Sequence, residues 1–161
     1  MILPSVEDLI FDAAVKLLQQ ITKANGFNRD IANVYDELVP IDQVENKPDS
    51  IVIEFGDDHY RNSDSGGFTT GLFEMQVPLF IHCFLHATEK ARVIQNQMKA
   101  DIERLFFRDR VGNTLNGTCQ QVMLANVVRW GTKIEKPNCG ISAELIVWYR
   151  QKITNPTQKG Q

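Results

Sequence analysis

Apolar residues return every three or four positions near the start of the chain, at Leu9, Ile10, Ala13, Leu17 and Ile21. This is the period of a helix with one buried stripe. Ser5 stands before it in N-cap position with Asp8 three residues on, a capping-box pair. Asn25-Gly26 closes the run, because glycine takes the left-handed conformation of a helix end without strain. The pattern predicts a first helix over residues 5–25. Residues 31–39 (IANVYDELV) have room for a short strand, and 42–50 form a polar connection. The period then drops to two. SIVIEFG, residues 50–56, is rich in β-branched side chains and ends on glycine. LFEMQVPLFIHCFLH, residues 72–86, alternates throughout, with Phe73, Met75, Val77, Leu79, Ile81, Cys83 and Leu85 on one face. Pro78 has no N–H to give a ladder, which predicts a bulge or a sheet edge there. Thr88 caps a second helix, striped by Ala91, Ile94, Met98, Ile102, Leu105 and Phe106 and ending near Phe107. Two more strands are predicted at about 118–130 and 140–150, joined by a glycine-bounded turn. Ile141, Ala143, Leu145, Val147 and Tyr149 share a face of the last one. The tail, 151–161, is polar and expected to be mobile.

These elements define one α+β domain over residues 1–150. Two amphipathic helices bury their stripes most simply on one face of a mainly antiparallel or mixed sheet. A long loop separates the early strands. Phe80, Phe84, Ile146 and Trp148 lie on the parity opposite to the core sets. That is much apolar surface for a solvated face. A partner subunit would cover it; a parity-shifting bulge or overlying loops would also account for it.

Charge and cysteine content narrow the classes of function. The 161-residue chain has a formal net charge of −3 and a pI near 5.6, and its Lys and Arg residues are scattered. A protein that neutralises nucleic-acid phosphates would show a basic stripe. No apolar run approaches the ~20 residues of a membrane helix, and MILPSVED lacks the features of a signal peptide. Cys83, Cys119 and Cys139 are odd in number and far apart, which suits reduced thiols and cytoplasmic synthesis.

Candidate chemistry is thin, and no catalytic, cofactor or metal residue is assigned. His82, Cys83 and His86 in HCFLH suggest a metal, but on a strand Cys83 points away from both histidines. The two histidines would stand roughly 13 Å apart at ~3.3 Å per residue, far beyond the span of a zinc site. A hydrolase pairing Cys83 or Cys119 with His59 would have to be assembled across strands. NSDSGG, residues 62–67, lacks the glutamate that ends a calcium loop. Gly66-Gly67 precedes neither a Lys-Ser/Thr pair nor a helix, as a phosphate loop would.

GDDHYRNSDSGGFTTG, residues 56–71, reads as a polar loop between two strands. Lengthening a four-residue turn to this size costs only about 1.2 kcal/mol of closure entropy, so its length proves no function. Ordering it alone is costly, at ~1–2 kcal/mol per residue. Tyr60, Arg61 and Phe68 supply groups suited to a protein contact. A segment that orders on assembly fits this composition.

Three stretches, taken in order, resemble the tail terminator proteins of long-tailed bacteriophages. ITKANGFNRDI after the first helix, QNQMKADIERLFF in the second helix and GISAELIVWYR in the last strand carry the likeness, which spans about residues 5–150. Where that family has a glycine shortly after the aspartate, this chain has Ala32. The resemblance implies an αβ fold with helices on one sheet face. It also implies a ring of six copies that caps the tail tube, ends its polymerisation and presents a surface to the head-side connector. Its place would be the head-proximal end of the virion tail, after synthesis in the host cytoplasm. DNA would pass through the lumen without specific binding. Residues 57–70 would be an assembly element, and Asp57, Asp58 and Asp64 would line subunit contacts or the lumen. With Tyr60, Arg61, Phe68, Phe80, Phe84 and Trp148 they make up the expected contact set. Two other readings remain: another neck component, such as a head-completion or tail-completion protein, and the small Cys/His hydrolase.

Overall fold

The computed structural model describes residues 4–36, 39, 44, 49–60, 72–87, 90–108, 110–131, 138–152 and 155–159. Among the described residues its helices are α1 (Val6–Leu18), α2 (Ala91–Phe107) and the single turn α3 (Arg110–Asn113), and the buried Val44 is also helical. Its strands are β1 (Asn33–Tyr35), β2 (Ser50–Phe55), β3 (His59–Tyr60), β4 (Leu72–His86), β5 (Gln121–Trp130), β6 (Asn138–Lys152) and β7 (Asn155–Lys159). Among the described residues all seven strands form one sheet in the order β1-β2-β4-β6-β5, with β3 added to β4 and β7 to β6. The β1–β2 pair is parallel and every other pair is antiparallel, so the fold is α+β with a mixed sheet. The spine is β4 against β6, in register from Leu72↔Lys152 to His86↔Asn138. Fifteen residues a strand make it about 50 Å long at ~3.3 Å per residue.

The core lies on the parity read from the sequence. Met75, Val77, Leu79, Ile81, Cys83 and Leu85 of β4 meet Ile141, Ala143, Leu145, Val147 and Tyr149 of β6. Buried residues of both long helices, among them Ile10, Leu17, Leu18, Met98, Ile102 and Phe106, join the same cluster. The helices therefore share one face of the sheet, as expected. Ser5 caps α1 with the full capping box: its hydroxyl accepts the Asp8 amide at 3.1 Å, and Asp8 accepts the Ser5 amide at 2.7 Å.

Three expectations are corrected. The first helix stops at Leu18 rather than 25. Thr22 is extended and its hydroxyl caps a separate 3-10 turn, Lys23–Asn25, which ends at Gly26 with φ +82°. Short polar side chains here offer the backbone partners outside a helix, while Ile21 stays fully buried and preserves the apolar period. The tail is not free: Gln151 and Lys152 complete β6, and β7 pairs back onto them. The second helix begins after Lys90, which has φ 56° and gives no side-chain cap; Thr88 lies outside the described residues.

Pro78 sits inside the sheet, in an unbroken β4. Its carbonyl accepts the Gly56 amide at 2.8 Å, which shows that its backbone polar groups point toward β2. Its missing N–H is thus lost where the β2 ladder ends, at Phe55↔Leu79. The bulge expected at Pro78 is not found there; an irregularity lies instead on the neighbouring strands. Four steps from Phe55 to His59 run beside three from Leu79 to Gln76, so Asp57 and Asp58 fall at an extra residue.

The turn after α1 and the middle of α2 meet in space. Asp101 of α2 is buried and accepts the Asn28 amide at 3.0 Å and the Asn28 side-chain amide at 2.7 Å. Arg104 lies 4.8 Å above the Phe27 ring and donates to the Gly26 carbonyl. This joint fixes the turn after α1 to α2. Asp101→Ala leaves two donors of Asn28 unmatched and is expected to cost about 1–3 kcal/mol, measured by urea unfolding. Burial raises the Asp101 carboxyl above its ordinary value, against the lowering by Asn28, Arg104 and Arg29. Its stabilising contribution is therefore complete below the unfolded value and falls as pH rises through the folded one. The stability of the wild type relative to Asp101→Asn should fall across that rise.

Candidate functional site

Neither long helix covers the second face of the sheet. Phe80, Phe84, Ile146 and Trp148 all lie there, half-buried and outside the core cluster. No register shift occurs along β4 and β6, so a bulge does not explain their parity. A parity change does occur in β5, between Leu124 and Asn126. It sends Val127 to the core side and brings Val128 and Trp130 onto the face opposite α1 and α2, beside Met123. Met123 and Val128 are 47% and 52% exposed.

Register arranges this face in cross-strand rows. Trp130 lies over Gly140, with its ring 5.2 Å from that of Phe84. The next row runs Val52–His82–Ser142–Val128. His82 Nδ1 is 2.8 Å from Ser142 Oγ, and His82 Nε2 is 3.0 Å from Glu54 Oε1. His82 and Ser142 are a non-hydrogen-bonded backbone pair, in which opposed side chains come closest. Glu54 reaches the ring from the diagonal position. Phe80 flanks the ring, near-parallel to it with centroids 6.2 Å apart. At the far end Arg150 Nε binds Glu74 at 3.0 Å.

A carboxylate only accepts hydrogen bonds, so in neutral His82 Nε2 carries the hydrogen and Nδ1 accepts from Ser142. Glu54→Leu should release this tautomer. Ring nitrogen NMR shifts are expected to show Nε2–H in the wild type and a tautomer mixture in the variant; an unchanged spectrum would mean Glu54 does not hold the ring.

The expected contact residues are thus divided. Phe80, Phe84 and Trp148 share the face opposite α1 and α2. Asp57 and Asp58 are exposed at the bulge, beside the β2 end. Partial burial and then the Glu7 carboxylate, which also shares a hydrogen bond with it, raise the Asp58 carboxyl. Asp58 thus lies close to Glu7 at the start of α1. Tyr60 belongs to β3, opposite Met75, so the expected loop begins with strand pairing. The side chain of Tyr60, and all of Arg61, Asp64 and Phe68, lie outside the described residues.

The other candidate chemistry is also dispersed. Cys83 and Cys119 are buried in the core, and His59 is exposed on β3. Burial pushes the thiols of Cys83 and Cys139 above the ordinary value. His82 and Cys83 face opposite sides of β4, and His86 is exposed at its end. Among the described residues no group of three His, Cys, Asp or Glu side chains is placed to hold a metal ion, and no helix is long and apolar enough to cross a membrane. Glu54, Ser142, Met123, Val128 and Trp130 were not singled out from the sequence. Parity was the available signal for all except Val128 and Trp130, which follow the β5 bulge.

No protein-family model and no curated protein sequence matches this chain.

Proposed function

We propose that this protein is a non-enzymatic assembly component: a ring subunit at the end of a bacteriophage tail tube, acting as its terminator. The observation that carries the reading is the sheet face opposite α1 and α2, where aromatic and aliphatic side chains flank a fixed polar line. An apolar patch rimmed by paired polar groups is the pattern of a docking surface. The resemblance supplies the particular assembly. The partners would be further copies of the chain, the tail tube protein and the head-side connector, with DNA passing through the lumen without specific binding. The protein would reside in the virion, at the head-proximal end of the tail. Particles assembled without it test the role by electron microscopy. Tails of uncontrolled length are the expected result; tails of normal length that fail to join heads would assign it to another neck component instead.

Glu54–His82–Ser142 favours a second reading, a serine hydrolase in place of the cysteine one. Glu54 orients the imidazole and His82 Nδ1 faces the hydroxyl, which is the logic of base activation. The surroundings oppose it. Ser142 lies in the middle of β6, between β4 and β5. The amides around it serve the ladders, whereas acyl transfer needs free donors aimed at the developing oxyanion. A fluorophosphonate probe separates the readings: labelling of Ser142 that depends on His82 would support the hydrolase, and an unmodified protein the assembly role.

A further inference from the structure

The net charge of −3 conceals a lateral separation of charge. Described residues 4–36 and 49–60, which hold α1, β1, β2 and β3, carry nine carboxylates and three Lys or Arg. Described residues 90–108 and 110–131, which hold α2, α3 and β5, carry seven Lys or Arg and two carboxylates. The fold places these groups on opposite flanks. α1 lies over the β1–β2 side, with Phe11 5.1 Å from Phe55 and the Ile31 amide bonded to the Ile21 carbonyl. α2 lies over the β5 side, where Gln95 donates to the carbonyls of Trp130 and Gly140. β1 and β5 are the two ends of the strand order. Asp12, Asp36 and Asp57 are exposed on one flank; Arg92, Arg108 and Arg129 are exposed on the other.

We infer that copies of this chain join side by side, the basic α2–β5 flank of one against the acidic α1–β2 flank of the next. The inference rests on the ring reading and names the surfaces that would form it. Such a contact is heterologous: it never pairs a patch with itself, so it propagates into a ring or a filament. Opposite charge on the two flanks sets the order of approach, opposes like-to-like pairing and speeds encounter.

The test is sedimentation of the full-length protein with two charge-reversed variants. One carries Arg92→Glu and Arg129→Glu; the other carries Asp12→Lys and Asp57→Lys. All four positions are exposed, and melting by circular dichroism checks that each variant folds. The wild type is expected to self-associate, with affinity falling about tenfold or more between roughly 50 and 500 mM salt. Each variant alone should be at least about tenfold weaker, because its two flanks then repel. Mixed, they should co-assemble in equal amounts, since every contact between unlike variants is complementary. Wild-type assembly that neither variant alters would overturn these surfaces while leaving a ring intact. A wild type that stays monomeric at low salt would also overturn them, and leaves the tube-end role to the particle experiment. A short DNA duplex bound by the wild type and lost with the arginine variant, without self-association, would reassign the basic flank to nucleic acid.

Discussion

Gly140→Ala is expected to lower the melting temperature by roughly 6–12 °C, the equivalent of about 3 kcal/mol in a chain of this size. A methyl at this position would fall 1.9 Å from Trp130 Cζ2 and 2.2 Å from the Cys83 carbonyl oxygen. Neither neighbour can readily give way. The indole is held against Phe84, and the carbonyl belongs to the central strand of the spine. Glycine is needed here for the close approach of an aromatic ring and a backbone to one Cα. Adding Trp130→Ala to Gly140→Ala should recover only part of the loss, because the carbonyl clash remains. Thermal melts by circular dichroism give both values; a single variant that melts with the wild type would show that the indole does not rest on this glycine.

The largest functional effect is expected from Met123→Asp combined with Val128→Asp. Both side chains are about half exposed on the face opposite α1 and α2, so the folded protein should lose less than about 1 kcal/mol. Docked against a partner, the same two carboxylates would be removed from water without a counter-charge, at several kcal/mol. Binding to tube ends should therefore fall at least about a hundredfold while the melting curve barely moves. Unchanged binding would place the docking surface elsewhere. A large loss of stability would instead show that these residues belong to the protein's own packing.

The alternation in β4 and β6 was legible because a strand buried on one side repeats every second residue, and both strands run without a break. That was enough to place Phe80, Phe84 and Trp148 on the face opposite the helices. Cross-strand neighbours were not legible. Glu54, His82 and Ser142 come together through the register of three strands, and registers depend on turns that a residue pattern does not encode. The helix end at Leu18 was hidden by Ile21, whose burial continues the apolar period after Thr22 has turned the chain. Val128 and Trp130 were obscured by the bulge before Asn126, which reverses inside and outside midway along β5. β7 was missed because its polar residues carry no apolar alternation. The charge division between the flanks was hidden by the total, since it emerges only when the fold carries α1 and α2 to opposite sides.

The most direct measurement of an assembly role is the elongation of purified tail tube protein with this chain added in small amounts. Elongation should stop, and electron micrographs should show one extra ring of density at the growing end, with no small molecule consumed. Tubes that lengthen at the same rate, with the added protein left in the supernatant, would contradict the proposal.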